Sequence, residues 1–162
     1  MKKILLEDRA LLRISGSDAE TFLQNQFSND LTKLKDKTIQ LSAYCQHQGK
    51  VIALFWVMRK NGSYLLSFPR DLAEKVMARL RLFIIMSDVK IEDVSEKYLQ
   101  VGLINEIHTN AYSYNHDLSL HLYESKGANE DIDVGIYDYL ETLGVTKKIN
   151  NSDELSLSLV EE

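Results

Sequence analysis

Positions 51–58 read VIALFWVM, an unbroken apolar run that constrains the chain more than any other stretch. A short run rich in β-branched and aromatic side chains is either a strand buried on both faces or a piece of buried helix. Its flanks decide. Asn61-Gly62 follows at hairpin distance, and both residues of such a turn must tolerate positive φ, as Asn and Gly do. Gln46-His47-Gln48-Gly49 precedes the run and supplies a second turn. The pattern predicts three antiparallel strands at about 39–45, 50–60 and 63–68. The middle one forms the heart of the sheet, and other elements must cover both its faces.

The flanking segments supply that cover. A first strand is expected over 10–15, with Leu12 and Ile14 on one face. Ser17-Asp18-Ala19-Glu20 has the spacing of a capping box, with Ser17 at N-cap, and predicts a helix over 18–27 whose inner face carries Ala19, Phe22, Leu23 and Gln26. Pro69, with φ fixed near the helical value, is placed to open a second helix over 71–85 with Leu72, Val76, Leu80, Phe83 and Ile84 as its buried stripe. Strands over 89–94 and 98–104 complete a β-α-β-β-β-α-β-β order. That order indicates an α+β unit, an antiparallel sheet with helices packed on one side, ending near Asn105. Beyond it, Leu118, Leu120 and Leu122 alternate as in a strand. Residues 132–143 have a helical apolar face stopped by Gly144, and Leu155, Leu157 and Leu159 alternate in the tail. The tail either lies on the existing sheet or belongs to a longer protein.

Composition narrows the function classes. A formal charge of −5 gives no electrostatic case for direct nucleic-acid binding, although a local basic patch remains open. The single cysteine, Cys45, precludes an internal disulfide and suits a reducing cytoplasm. Glu7, Asp8 and Arg9 interrupt the start too soon for a signal peptide, and no apolar stretch is long enough to span a bilayer.

Chemistry is sparse in the pattern. Cys45 and His47 leave one strand end on the same side, but no histidine or cysteine spacing matches a zinc site, so no metal is expected. Cys45 is a possible reactive thiol if His47 serves it as a base; the competing reading is a buried structural thiol. Asn25, Ser28, Asn29 and Asp30 crowd the end of the first helix, either as a polar terminus or as a wall facing a ligand. Tyr112, Tyr114, Tyr123, Tyr137 and Tyr139 are available to pack or to stack on a flat ring. Glu130, Asp131 and Asp133 lack the spacing of a calcium loop.

Three ordered stretches go further. ALLRISGSDAETFLQNQFSNDL at 10–31, LSAYCQHQGKVIALFWVMR at 41–59, with its Cys45-Gly49-Lys50 turn, and the segment 65–90 resemble the successive blocks of the YgfZ-type folate-binding proteins. Those proteins are relatives of the glycine-cleavage aminomethyltransferase, GcvT. The resemblance is good over about 8–102 and loose beyond. It implies intertwined subdomains around a channel that binds tetrahydrofolate or a derivative. It also implies a role in iron–sulfur cluster assembly or repair, and through that in tRNA modification, with iron–sulfur assembly proteins or their clients as partners, in the cytoplasm and without a membrane. The family's Lys-Gly-Cys-Tyr-x-Gly-Gln-Glu segment is not in this sequence, and 152–160 resembles the stretch just upstream of it. The expectation is therefore an amino-terminal portion, with a folate-binding α+β subdomain over 1–105 and a second, incomplete one over 106–162.

By the same resemblance, the paired aspartates of the aminomethyltransferases fall on Ala53 and Leu54, which can neither exchange a proton nor hold a charged amine, so no catalytic residue is expected. The folate-binding candidates are Arg9, standing where the family has a ring-stacking aromatic; Gln24, Gln26, Asn29 and Asp30 in the polar first-helix segment; and Tyr139, or Tyr137 beside it, on the late helix. Two alternatives stand next to this reading. One is a folate-dependent aminomethyltransferase-like enzyme, and the other is a ligand-free interaction module using a sheet edge.

Overall fold

The computed structural model describes residues 2–105, 108–125 and 145–146. Within them run β1 (Lys2–Leu5), β2 (Arg9–Ser15), α1 (Ala19–Gln26), β3 (Gln40–Cys45), β4 (Val51–Lys60), β5 (Ser63–Pro69), α2 (Ala73–Leu82), β6 (Lys90–Asp93), β7 (Tyr98–Ile104), β8 (Tyr112–Ser113), β9 (Leu118–Glu124) and β10 (Val145–Thr146). The fold is α+β. Its first sheet has the order β3-β4-β5-β2-β6 and is antiparallel throughout. A second sheet, β10-β1-β7-β9-β8, is antiparallel except for the short parallel pair β1–β10.

The two faces of β4 explain its unbroken apolar run. Ala53, Phe55 and Val57 point into a core shared with Ala19, Phe22 and Leu23 of α1 and Val76 and Leu80 of α2. Both helices therefore pack on one side of the first sheet, as the pattern predicts. Trp56 and Met58 point the other way, into a core shared with Ile4, Tyr98, Leu120 and Leu122 of the second sheet. Over 55–58 the strand is sandwiched between a helix layer and a sheet and has no face left for polar side chains, so the usual alternation disappears, whereas Val51 and Leu54 nearer its start are exposed. The hairpin that follows is as expected, with Asn61 at φ 50° and Gly62 at φ 75°.

The second sheet is the main departure from the pattern, which placed its strands in one layer. Lys2–Leu5 is too short to display a period. It still splits its apolar residues, with Ile4 between the sheets and Leu5 on the outer face beside Val101 and Leu103. β7 pairs with β9 from Tyr98↔Glu124 to Ile104↔Leu118, so this sheet continues across residue 105. The expected helix over 132–143, the acidic loop and the alternating tail lie outside the described residues. None of the described helices is long and apolar enough to cross a membrane.

The start of α1 is not a capping box. Asp18 occupies the N-cap without a side-chain bond to the helix. Ser17 instead donates from its backbone N (2.9 Å) and its Oγ (2.8 Å) to Asp88 Oδ2, while Asp88 N donates to Asp18 Oδ2 at 2.7 Å. Glu20 accepts from Tyr64 and Arg59. The reason is steric. Gly16, at φ 111°, lets the chain approach so closely that a Cβ there would lie 2.0 Å from the Asp88 carbonyl oxygen. The caps are thus spent on docking the exit of α2 against the entry of α1. α2 itself is shorter than its pattern: 70–72 form a 3₁₀ turn, Pro69 closes β5, and the α-helix ends at Leu82.

Candidate functional site

Sequence reasoning nominated Arg9, and the fold places it at the start of β2, cross-strand from Pro69 and only 6% exposed. Its Nε donates to Ser67 Oγ at 2.8 Å and its Nη2 to the Ser67 carbonyl at 2.9 Å. The guanidinium carbon stands 3.7 Å from the centre of the Trp56 ring, a close cation–π contact. Ser67 Oγ donates onward to Gln100 Oε1 at 2.5 Å, and Gln100 Nε2 donates to the Arg9 carbonyl at 3.2 Å. Burial draws the Arg9 pKa down to about 10, opposed by the neighbouring Asp8 carboxylate. The guanidinium plane does stack on an aromatic ring, but the ring is the chain's own. Arg9 ties β2, β5 and β7 together between the sheets.

The polar segment after α1 is drawn together. Gln24 Oε1 accepts from Leu31 N at 2.8 Å, and Gln24 Nε2 donates to Asp30 Oδ1 at 3.4 Å. Asp30 Oδ1 also accepts from Thr32 N (3.0 Å) and Thr32 Oγ1 (2.6 Å), capping the single turn at Leu31–Lys33. Those two bonds, side chain first, hold the Asp30 carboxyl below the ordinary carboxylate range. Asn29 Nδ2 donates to the Leu41 carbonyl at 2.9 Å, and Gln40 Nε2 donates to the Asp30 carbonyl at 2.8 Å. The result pins the α1–β3 connection to the outer strand of the first sheet.

Beside this pinned connection opens a cleft of about 310 Å³, lined by Asn29, Lys33, Lys35, Gln40, Leu41 and Tyr114 among others. Gln40 Oε1 is buried here without a hydrogen-bond partner among the described residues. An unsatisfied buried acceptor is costly, so it marks a position where a donor is missing. The cleft combines a carboxamide, an aromatic ring, an aliphatic floor and two lysines, with the unsatisfied Gln40 Oε1 buried in its wall. Of the nominated residues, Asn29 lines it and Gln24 and Asp30 support it. Gln26 is half-buried one turn back on α1, and Tyr137 and Tyr139 lie outside the described residues. Gln40 went unnoticed because a lone amide opening a strand looks like any edge residue; only the fold sets it against Asp30.

The remaining candidates are elsewhere. Cys45 is a free, half-buried thiol at the end of β3, just past a register shift between Tyr44 and Cys45. His47 is exposed and sits edge-on to Phe83 at 6.5 Å. On β4, Ala53 is 4% exposed in the helix-side core and Leu54, on the opposite face, is 42% exposed. The strand VIALFWVMRK carries no carboxylate.

Comparison with known proteins bears on the family and the fold. The tRNA-modifying protein YgfZ of Buchnera aphidicola subsp. Schizaphis graminum is 32% identical over 95 residues, covering 59% of this chain and 30% of that protein. The YgfZ of Klebsiella pneumoniae is 34% identical over 86 residues, 53% of this chain and 26% of its own length. This stretch is YgfZ-like. The Escherichia coli O157:H7 protein gives 30% identity over 94 residues, covering 58% of this chain and 29% of its own length. The YgfZ-like chain thus spans between 26% and 30% of the length of these curated relatives. Among solved structures, the glycine cleavage system aminomethyltransferase T from Bartonella henselae matches with a TM-score of 0.56 at 14% identity, over 62% of this chain and 28% of that one, which establishes likeness of fold. No family model matches the sequence.

Proposed function

We propose that the chain contributes to a YgfZ-type protein that binds tetrahydrofolate or a derivative without transforming it. In this reading it supports iron–sulfur cluster assembly or repair in the cytoplasm, and through that tRNA modification. The similarity to proteins named tRNA-modifying protein YgfZ supports the family. The observation that carries the ligand is the unpartnered Gln40 Oε1, buried in the wall of the cleft beside Asn29 and Tyr114, where a small side-chain shift would offer it to a donor. A reduced pterin presents ring N–H and amino donors along one edge, which a carboxamide oxygen accepts. Tyr114 and Leu41 offer surface to its ring, and Lys33 and Lys35 suit the carboxylates of a glutamyl tail. Asn29 is the contact residue carried over from the resemblance, with Gln24 and Asp30 positioning it. Gln26, Arg9, Tyr137 and Tyr139 complete the set that the family pattern nominates, Arg9 from its place between the sheets.

Aminomethyl transfer is not part of the proposal. A transferase of that kind needs a carboxylate on the middle strand, and β4 offers Ala53 inside the helix-side core and Leu54 on the other face. The division into subdomains at about residue 105 also belongs to the proposal. Anaerobic titration calorimetry with tetrahydrofolate tests the ligand. Saturable binding that weakens about tenfold in Gln40→Leu, the loss of one buried hydrogen bond with its desolvation, is the expected result. Absence of heat, or equal affinity in Gln40→Leu and Asn29→Ala, would overturn the assignment to this cleft.

A further inference from the structure

A second cleft, of about 370 Å³, opens where the apolar run of β4 gives way to Arg59 and Lys60. Lys37, from the connection before β3, lines it together with Arg59, Lys60, Asp36, Gly62 and Tyr112. Three cations from two separate segments line it with one carboxylate, and Glu20 and Glu124 pair with Arg59 and Lys60 beside it, so Lys37 is the cation whose charge is least compensated.

The cations are held in place. Lys37 has φ 59°, and its carbonyl accepts from Ser113 N at 2.8 Å, which fixes the loop to β8. The Lys37 ammonium lies 5.4 Å from the Tyr112 ring centre and the Lys60 ammonium 5.2 Å from that of Tyr98, so both stems rest on aromatic faces. Their compensation is weak. Lys37 makes no ion pair among the described residues, and Lys60 faces only Glu124, at 3.9 Å and 74% exposed. Arg59 spends Nη2 on Glu20 at 3.3 Å and on Tyr64 at 3.1 Å, and its buried Nε has no partner among the described residues. The surplus is felt nearby, since His121 has its pKa lowered first by burial and then by His108, Lys37, Lys60 and Lys3.

We propose that this cleft binds a small ligand through two adjacent phosphate groups. Two point-charge ammonium groups, with the Arg59 guanidinium beside them, suit clustered anionic oxygens. Tyr112 is buried, which leaves no open ring face in the lining for a base, so the cleft recognises the charged part of a ligand rather than a heterocycle.

The test is an NMR titration of the full chain with sodium pyrophosphate at constant ionic strength. Amide shifts are expected to concentrate at 36–37, 59–62 and 112. Lys37→Gln, at an exposed position, and Lys60→Gln, at a half-buried one, are each expected to weaken binding about tenfold, as for loss of a charge-assisted contact. Saturation is expected to raise the His121 pKa, because bound phosphate neutralises Lys37 and Lys60. Shifts centred on 29, 33–35 and 114, unchanged affinity in both variants, an unmoved His121, or equal binding of sodium triglutamate would each overturn the proposal. Because the readout residues differ, failure here leaves tetrahydrofolate binding at the first cleft untouched, and the reverse also holds.

Discussion

On its helix side, the first sheet presents Ala10, Leu12, Ile14, Ala53, Phe55, Val57, Leu66 and Phe68, closed by the inner faces of α1 and α2. On its other side it presents Leu11, Trp56, Met58 and Leu65, but also the buried Arg9 and Ser67, which meet Gln100 from the second sheet. One layer is a hydrocarbon jigsaw, with Phe55 set 4.9 Å from Phe27 and 5.0 Å from Phe68, centre to centre. The other contains a cation without a buried carboxylate, satisfied by dipoles and an indole face. Apolar packing tolerates small rearrangements, whereas a directional network accepts one register. The difference suggests that the helix layer supplies most of the stability and the inter-sheet layer fixes how the two sheets meet.

The sharpest way to break this comparison uses adjacent residues of β4. Ala53→Asp puts an unpaired carboxylate into the helix-side core and is expected to cost about 3–5 kcal/mol. Leu54→Asp, one residue on and 42% exposed, is expected to cost less than about 1 kcal/mol. Urea unfolding of the two variants checks both. Similar losses would mean that the faces of β4 do not differ as described.

Replacing Arg9 by Met probes the polar layer itself. Ser67 Oγ loses the Nε donor but keeps its bond to Gln100, Gln100 keeps its bond to the residue 9 carbonyl, and the Ser67 carbonyl loses the Nη2 donor. Met fills most of the volume and removes a buried charge. The expected loss is about 1–2 kcal/mol, below that of Ala53→Asp, because desolvation of the guanidinium is relieved as its contacts are lost. A loss above that of Ala53→Asp would make Arg9 the principal stabiliser and reverse the ranking of the two layers.

What could be read from the chain follows the range of the interactions. The strand at 51–58, the Asn61-Gly62 turn and the apolar face of α1 are local signals and came out as expected, except that Val51 and Leu54 are exposed and Gln26 is only half-buried. The second sheet did not, because β1 offers four residues and its partners lie about a hundred positions away. Pairing at that separation leaves no local signature. Arg9 carries the same lesson: an arginine opening a strand looks solvated until Trp56, Ser67 and Gln100 are brought around it. At the first cleft, Asn29 and Asp30 stood out as an unusual polar cluster, whereas Gln40 acquires meaning only through its bond to the Asp30 carbonyl.

The smallest expected effect tests the second sheet by pH. His121 lies on β9, opposite Val101, with its ring 4.1 Å from Tyr123 and 5.8 Å from His108, and its buried Nδ1 has no partner among the described residues. Burial and then the surrounding positive groups lower its folded-state pKa below the unfolded value of about 6.5. The unfolded chain therefore binds the proton more readily in the window below that value, and stability falls as pH drops through it. The carboxyls of Asp30 and Asp88, also depressed in the fold, act in the same direction only nearer pH 4. Urea midpoints are thus expected to decline modestly from pH 7.5 to 5.5, and to decline less in His121→Asn. An equal decline in the variant would assign the loss to other groups and remove the second sheet from the pH response.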